Sequence, residues 1–539
     1  MKSIKYLNLI LLSAVVACSN LEPISYSEIN PSIFPQTEAD VQALVMSCYY
    51  PLRGDWGNGI NHNSERGQMF VNDCCTEILA GTFDTQKMCH EMSYNENHVG
   101  VTFFYYRRFG GGDGFLEDNS DGFANKISRC TLVMDAIENS NLSREKKDKY
   151  LAEVRCARGY LAYILFDMYG PLVVAPLEVL KNPLKEAPLP RLTNEEMVKF
   201  IEDDLVFAGE YLPFPKQAEY GRFSRGLAKT LLIRLYLHET VHDKAYYNKV
   251  ETIAREVMTA EYGYDLVPEY TTLFQFAGMT KSNPEYIFVI PATTEGPNKA
   301  QWQTMVMPGD ERAFFTGNSF AGSTVEIVKD GTAMPNIGWG TIQSTWYFYD
   351  SFESDDTRKT YFITEYKRMD SKGQFEVFNR ANPWEKAFSL GPLPQKYQID
   401  NVNSTSNNLD CVQYRYPEIL LSLAEAIVMK PGGSITQEAV DLMNRVRKRA
   451  HLGDKQISDF PSTDVFIDQI LLERSHEFWC ENGQYRADLI RFDKLLDHVM
   501  IVNNGIAPYA SKDKYLFPLP LSVIVDGKGK VKQNPGYGE

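Results

Sequence analysis

Past its first eighteen residues the sequence has no apolar run long enough to span a bilayer, which takes about 20 residues as a helix. It is short of positive charge: 55 Lys and Arg stand against 70 Asp and Glu, a formal net charge of −15. A chain this acidic lacks the basic surface that sequence-independent nucleic-acid binding requires. Its nine cysteines include no Cys-x-x-Cys pair, which argues against a zinc ribbon. No Gly-x-Ser-x-Gly elbow is present to expose a nucleophilic serine. The run Gly110-Gly111-Gly112 is not followed by Lys-Ser/Thr, so it does not read as a phosphate cradle. The acidic pairs Asp203-Asp204 and Asp355-Asp356 are neighbours in sequence. Such neighbours do not present two carboxylates across a sugar, and no glycosidase is read from them.

With 539 residues, two lobes are a better expectation than one core. Hydrophobic residues make up 44% and charged residues 23%, ordinary for a globular protein. Aromatics reach 12%, with 31 Tyr and 30 Phe, enough to ask whether some serve a ligand as well as a core. The first 18 residues read as a targeting segment. Lys2 and Lys5 precede the short apolar run Leu7–Ala17, which ends Val15-Val16-Ala17-Cys18. Small residues before a cysteine resemble a bacterial lipoprotein processing site, with Cys18 as the lipidated residue; the alternative is an ordinary signal peptide with an incidental cysteine. Of the other cysteines, Cys48, Cys130 and Cys156 fall in helical patterns as small buried hydrophobes. Cys74, Cys75 and Cys89 are near enough in sequence for one bridge, left open at this level.

Residues 19–36 read as a tether. Thr37 with Asp40 is a helix N-terminus signature, as is Thr193 with Glu196. Long helical stripes run through 37–261, among them Tyr150, Val154, Ala157, Leu161, Leu165 and Met168, stopped at Gly170-Pro171. Successive helices joined by short turns predict paired helices. Residues 262–412 differ: stripes are scarce, turns dense, and Trp302, Trp339, Trp346 and Trp384 lie there. Thr345 is expected to cap a short helix through Phe352. From 413 to 539 helices return, over 413–428, 437–450 and 464–482. The first carries an apolar stripe of Tyr416, Leu420, Leu423 and Ile427 beside a polar one of Arg415, Glu418, Ser422 and Glu425. Paired charges at helical spacing are more often architecture than catalysis.

One motif points to an enzyme. His238-Glu239-Thr240-Val241-His242 fits His-Glu-x-x-His, in which two histidines one helical turn apart hold zinc and the glutamate acts as base. Against that, Leu231, Leu235 and His238 share one apolar stripe, the next helix starts near Tyr246, and no third histidine follows at a suitable spacing. The reading preferred here is a helix-to-helix turn.

The run Arg415-Tyr-Pro-Glu-Ile-Leu-Leu-Ser-Leu-Ala-Glu-Ala426 resembles the signature helix of the SusD/RagB family of surface nutrient-binding lipoproteins. The likeness continues in order through Asp441–Arg447, Glu473-Arg474, Glu477-Phe478, Glu481, Arg486–Arg491, Leu516–Pro520 and Gln533–Tyr537. Earlier, Glu153–Tyr160, Tyr169–Leu172 and Gly221–Ser224 also match it. The resemblance implies a mainly α fold, a tetratricopeptide-like scaffold of helical pairs carrying an irregular loop-rich lobe with few short strands. It divides the chain into a signal peptide (1–18), a tether (19–36), an N-terminal helical region (37–261) and a C-terminal region (262–539).

It further implies capture of a nutrient, an oligosaccharide for preference, outside the outer membrane. A lipid anchor would hold the protein, and a SusC-like TonB-dependent transporter would receive the ligand. No catalysis, cofactor, metal or nucleic acid is expected. Sugar rings offer flat C–H faces to aromatic side chains while amides bond the hydroxyls. Trp56 with Asn58, Trp302, Trp339 and Trp346 are therefore the candidate contacts, although each could equally be packing. The competing readings are an exported zinc peptidase built on His238, Glu239 and His242, and a scaffold lipoprotein that binds peptide without catalysis.

Overall fold

The computed structural model describes residues 34–52, 60, 67–82, 84–97, 123–182, 187–292, 306, 313–316, 340–369, 374–384, 387–397 and 409–538. Helices begin where the sequence supplies an oxygen to cap them. Thr37, Ser143, Thr193, Ser224, Thr436 and Ser462 each accept the backbone N–H three residues on, a contact worth about 1 kcal/mol at a helix start. They open helices α1 (Glu38–Tyr49), α5 (Arg144–Tyr169), α6 (Asn194–Tyr211), α7 (Arg225–Glu239), α11 (Gln437–Arg449) and α12 (Thr463–Phe478). Between them lie α2 (Gln68–Asp73), α3 (Asp84–Glu91), α4 (Phe123–Glu138), α8 (Tyr246–Val257), α9 (Trp346–Ser351) and α10 (Pro417–Met429). Helices α13 (Tyr485–Arg491), α14 (Leu495–Val502) and α15 (Leu521–Asp526) complete the set used below.

Sequence neighbours pack as pairs: α4 on α5, α5 on α6, α6 on α7, α7 on α8, and α10 on α11. Helix α8 also packs on α10, which joins the early helices to the late ones. Helix α5 stops at Gly170, whose φ of 72° suits a residue without a Cβ. The expected architecture of paired helices with a loop-rich lobe is thus the one observed. Among the described residues the strands are short: β1 (Leu79–Gly81), β2 (Tyr286–Ile290), β3 (Ala313–Thr316), β4 (Ile342–Ser344), β5 (Phe362–Ile363), β6 (Glu365–Met369), β7 (Phe375–Asn379), β8 (Leu393–Pro394) and β9 (Cys411–Arg415). They form small antiparallel sheets, β1–β4, β2–β9, β3–β6–β7 and β5–β8.

Two expected boundaries shift. Residues 413–415 belong to β9, and the helix expected over 413–428 begins at Pro417. Proline has no N–H to give an earlier turn, so it opens a helix, and the residues before it pair with β2 instead. The Tyr416 N–H reaches the Glu285 carbonyl at 2.9 Å. The helix expected over 464–482 ends at Phe478, because Trp479 turns extended and Cys480 adopts a φ of 58°. The Trp479 carbonyl so exposed accepts a hydrogen bond from the Lys396 ammonium at 2.6 Å.

Charged residues of the second half lie inside. Arg358, Lys396, Arg415, Arg447 and Arg449 interlock with Asp356, Glu285, Glu473, Glu477 and Glu481, all of them buried. Beside them Arg234, Arg474 and Arg491 pair with Glu418, Glu425 and Asp488. Charges removed from water need partners and hydrogen bonds at every turn. Here cations and carboxylates alternate, fastening the loop-rich lobe to α10, α11 and α12. Burial pushes Glu477 up, but Arg449, Arg415 and Arg358 outweigh it and hold the carboxyl down at about 2. Glu418 and Glu425, read as scaffold from their spacing, sit within this framework.

Candidate ligand-binding face

Helix α9 presents an aromatic face at the edge of the loop-rich lobe, and the strands before it set its position. Strand β4 pairs with β1 in the register Leu79↔Ser344, Ala80↔Gln343, Gly81↔Ile342. The Ser344 hydroxyl donates to the Ile78 carbonyl at 2.7 Å, and the Thr345 hydroxyl donates to the Glu77 carbonyl while accepting the Phe348 N–H. On the other side the Ser344 and Trp346 N–H groups reach the Pro392 and Leu390 carbonyls at 2.9 and 3.3 Å. The approach is close enough that a Cβ on Gly391 would lie 1.8 Å from the Ser344 carbonyl oxygen.

From that start the helix sorts its aromatics by its own period. Phe348 turns inward and Phe352 follows, onto the Trp479 and His476 rings. Tyr347 faces outward, 47% exposed. Trp346 and Tyr349 sit between, in an edge contact at 5.8 Å. The Trp346 indole N–H donates to the Phe388 carbonyl at 3.2 Å, and the Arg380 guanidinium covers the ring at 4.6 Å. Arg380 is held by both oxygens of Asp350, each at 2.9 Å. Its position is therefore fixed, although an exposed pair of this kind adds little stability.

Behind Tyr347 is a second polar group. Glu77 accepts the Tyr485 hydroxyl at 2.9 Å and meets His498 Nδ1 at 2.7 Å. Burial pulls the His498 imidazole down, yet the Glu77 charge outweighs it and the net shift is upward. Burial and the same carboxylate push the Tyr347 hydroxyl up, so that phenol stays a neutral donor. The face combines aromatic surface, a phenol and a fixed guanidinium. Such a set can pack on a flat apolar ring and bond its hydroxyls.

Trp346 is the sequence-selected contact that lies within this face. Trp56, Asn58, Trp302 and Trp339, with Cys18, lie outside the described residues. Trp384 packs on Phe378 at 5.8 Å. Tyr347, Asp350 and Arg380 were not singled out from the sequence. For Tyr347 a signal existed: once Thr345 is taken as the cap, helical phase puts 347 opposite 348 and 352. Arg380 and Asp350 are 30 residues apart and carried none.

The His-Glu-x-x-His segment straddles the end of a helix. Helix α7 ends at Glu239, Thr240 caps it, and His242 lies exposed in the following turn. His238 packs on the Phe166 ring at 4.7 Å. The buried Glu239 has one oxygen 2.8 Å from His238 Nδ1 and accepts the Asn194 amide at 2.9 Å with the other. The structure also brings together a serine, a histidine and an aspartate that sequence gave no reason to join. Ser351 Oγ lies 2.8 Å from His476 Nε2, and His476 Nδ1 lies 3.9 Å from Asp356. The order mimics a hydrolase triad, but both Asp356 oxygens accept from Arg358, and the Ser351 hydroxyl donates to Phe348 O at 2.6 Å. Phe352 stacks on the imidazole at 3.8 Å. These groups satisfy each other, with Asp356 and His476 buried and Ser351 half-buried.

Residues 387–537 match the family model described as the SusD family. Over 554 residues the chain is 24% identical to SusD-like protein P2 of Formosa agariphila, covering 100% of both. It is 23% identical to the starch-binding protein SusD of Bacteroides thetaiotaomicron over 458 residues, 76% of each. Among solved structures, a SusD superfamily protein from Parabacteroides distasonis superposes with a TM-score of 0.69 at 20% identity, covering 95% of this chain and all of that one. Surface glycan-binding protein A from Bacteroides thetaiotaomicron in complex with laminarihexaose gives 0.64 at 20% identity, with 93% and 100% covered. The chain is thus similar to SusD-like proteins along its length, and residues 387–537 carry the match to the family model.

Proposed function

We propose that this protein captures an oligosaccharide at the cell surface and passes it to a SusC-like TonB-dependent transporter of the outer membrane. A lipidated Cys18 would hold it there, and no bond is broken in that role. The observation that carries the reading is the α9 face, with Tyr347 open to solvent and Trp346 and Arg380 fixed beside it. Support comes from similarity to a starch-binding protein and to a structure bound to laminarihexaose. No helix among the described residues is long and apolar enough to cross a membrane. In this reading Trp346 and Tyr347 contact the sugar, and Trp56, Asn58, Trp302 and Trp339, outside the described residues, are proposed as further contacts.

The experiment is calorimetry of the chain from residue 19 onward against a panel of soluble glycans and peptides. Saturable binding of one glycan class, lost in Tyr347→Ala, supports the proposal. Binding of peptide alone replaces it with the scaffold reading. The anchor and partner are tested in native membranes, where Cys18→Ala should release the protein and mild detergent should co-purify a large barrel protein.

A further inference from the structure

Histidine is the side chain whose ordinary pKa places its charge change near neutral pH. A histidine tied to the frame of a binding face therefore couples that face to protons. His498, on α14, is tied in this way. Its Nδ1 lies 2.7 Å from Glu77 Oε2, with the imidazole 21% and the carboxylate 5% exposed. The two atoms are out of line for a hydrogen bond, so the attraction is between charges and needs the imidazolium. A neutral ring would offer the carboxylate only a lone pair or a misdirected N–H. The Tyr485 ring on α13 meets the imidazole edge-on at 6.1 Å. On α14 itself Asp497 and Lys494 stand near, and Lys494 is engaged with Asp468 at 2.7 Å. His90 on α3 sits at the far end of α14, where the Asn503 amide donates to its carbonyl at 2.8 Å, and burial holds its imidazole down. Burial also pulls His498 down, but Glu77 and Asp497 more than offset it.

Glu77 joins this histidine to the α9 face. Its side chain is gripped from two sides, by His498 and by the Tyr485 hydroxyl at 2.9 Å. Its main chain supports the start of α9. The Glu77 carbonyl accepts the Thr345 hydroxyl, and the next carbonyl, of Ile78, accepts the Ser344 hydroxyl at 2.7 Å and the Thr345 N–H at 3.4 Å. Thr345 caps α9 by accepting the Phe348 N–H at 3.0 Å, and Tyr347 stands in that first turn. One residue thus answers to a histidine with its side chain and carries a helix cap with its backbone.

We propose that His498 is a positioning residue for the α9 face: as an imidazolium it anchors the Glu77 segment on which the α9 cap rests, and loss of its proton to solvent loosens that cap and weakens binding at Tyr347. The inference rests on the reading of α9 as the ligand face. A histidine whose folded value is raised contributes fully below its ordinary value of about 6.5, and the contribution is lost as pH rises through the raised value. The face is therefore set in mildly acidic medium and slackens in alkaline medium.

The test first reads α9 without a ligand, in the chain from residue 19 onward. Hydrogen exchange of peptides covering residues 343–352 is followed by mass spectrometry from about pH 6 to about pH 9, with each rate corrected for the intrinsic rise of exchange with pH. Protection in the parent should fall about ten-fold as pH rises through the His498 midpoint, the order expected for a half-buried ion pair. His498→Gln cannot titrate and should show no step, whereas His242→Gln, in the exposed turn, should keep it. Glu77→Gln retains an acceptor for Tyr485 and should also remove the step, which keeps the test decisive if His498→Gln fails to fold. The panel of soluble glycans is then titrated into the parent at both ends of the pH range, and the affinity of any that binds should fall with protection. A His498-dependent step with no glycan bound at any pH upholds the positioning of α9 and counts against the ligand-face reading alone. No step in the parent, a step that survives in His498→Gln, or a glycan affinity that stays flat across the range would overturn the proposal.

Discussion

The guanidinium of Arg415 meets the carboxylate of Glu477 at 2.6 Å with neither side chain reaching solvent. Arg415 comes from a strand and Glu477 from a helix 62 residues later, so the pair fixes where the loop-rich lobe stands. Removing one partner leaves the other charged and buried. Arg415→Met should therefore destabilise the protein by about 3–5 kcal/mol, read as a lower midpoint in urea unfolding. Arg144→Ala, at the exposed contacts with Glu138 and Asp148, should change it by less than about 1 kcal/mol. Equal effects at the two sites would count against the framework role.

Acid should dismantle the same framework. Glu477 and Asp488 are each held down at about 2 by surrounding arginines that outweigh burial. Their folded values lie below their ordinary ones. Their contribution is complete above the unfolded values near 4 and lost as pH falls from there toward 2. Unfolding midpoints measured from pH 6 to pH 2 should drop across that window, and Glu477→Gln should shallow the drop.

Asp73 should behave in the opposite sense. Burial raises it to about 7 against the opposing hydrogen bond from the Cys480 N–H. The folded state then holds a proton that the unfolded chain releases near 4, so stability from this group falls as pH rises from 4 to 7. Asp73→Asn keeps an acceptor for Cys480 and cannot titrate. It should flatten that part of the profile, and an unchanged slope would remove Asp73 as its source.

Tyr347 and Trp346 should separate binding from packing. Tyr347 is half open to solvent, and Tyr347→Ala should leave the melting temperature nearly unchanged. If the face takes a glycan, affinity should fall by about 1–3 kcal/mol, as for other aromatic anchors, or roughly five- to a hundred-fold. Trp346 also packs against the core and bonds Phe388 O. Trp346→Ala should lower stability by about 2 kcal/mol, short of the 3–5 kcal/mol for a fully buried tryptophan. A Tyr347→Ala protein that melts early and binds normally would move this residue from the ligand face to the core.

The helix-end motif should answer to stability rather than to metal. Glu239→Ala strips a buried acceptor from Asn194 and His238 and should cost about 1–3 kcal/mol. His242→Ala, in the exposed turn, should stay within about 0.5 kcal/mol of the parent. Elemental analysis of the purified protein should find no stoichiometric zinc. One zinc per chain lost together with both histidines would revive the peptidase reading.

What the sequence made legible was local. Thr37 with Asp40 and Thr193 with Glu196 announce their helices because a capping oxygen and its N–H are three residues apart. Thr345 likewise placed α9. The strand at Cys411–Arg415 escaped notice because its partner is Tyr286–Ile290, and helical spacing continues through Pro417 without marking the switch. Arg415, Glu418 and Glu425 were read as scaffold on spacing alone. Their partners, Glu481, Arg474 and Arg491, come from other elements and left no periodic trace. For the candidate face, Trp346 was within reach because tryptophan is rare, whereas the clamp of Arg380 by Asp350 depends on a turn whose geometry no short motif encodes.

The exit of helix α5 is finished by the far end of the chain. The Phe517 N–H reaches Met168 O at 2.7 Å, and the Asn534 amide reaches Tyr169 O at 2.9 Å across 365 residues. A polypeptide emerging from the ribosome or threading through a membrane pore from its N-terminus cannot complete that helix end until nearly its last residues arrive. Contacts of such high order slow folding. The carbonyls at the end of α5 are accordingly satisfied only once residues 517 and 534 have docked.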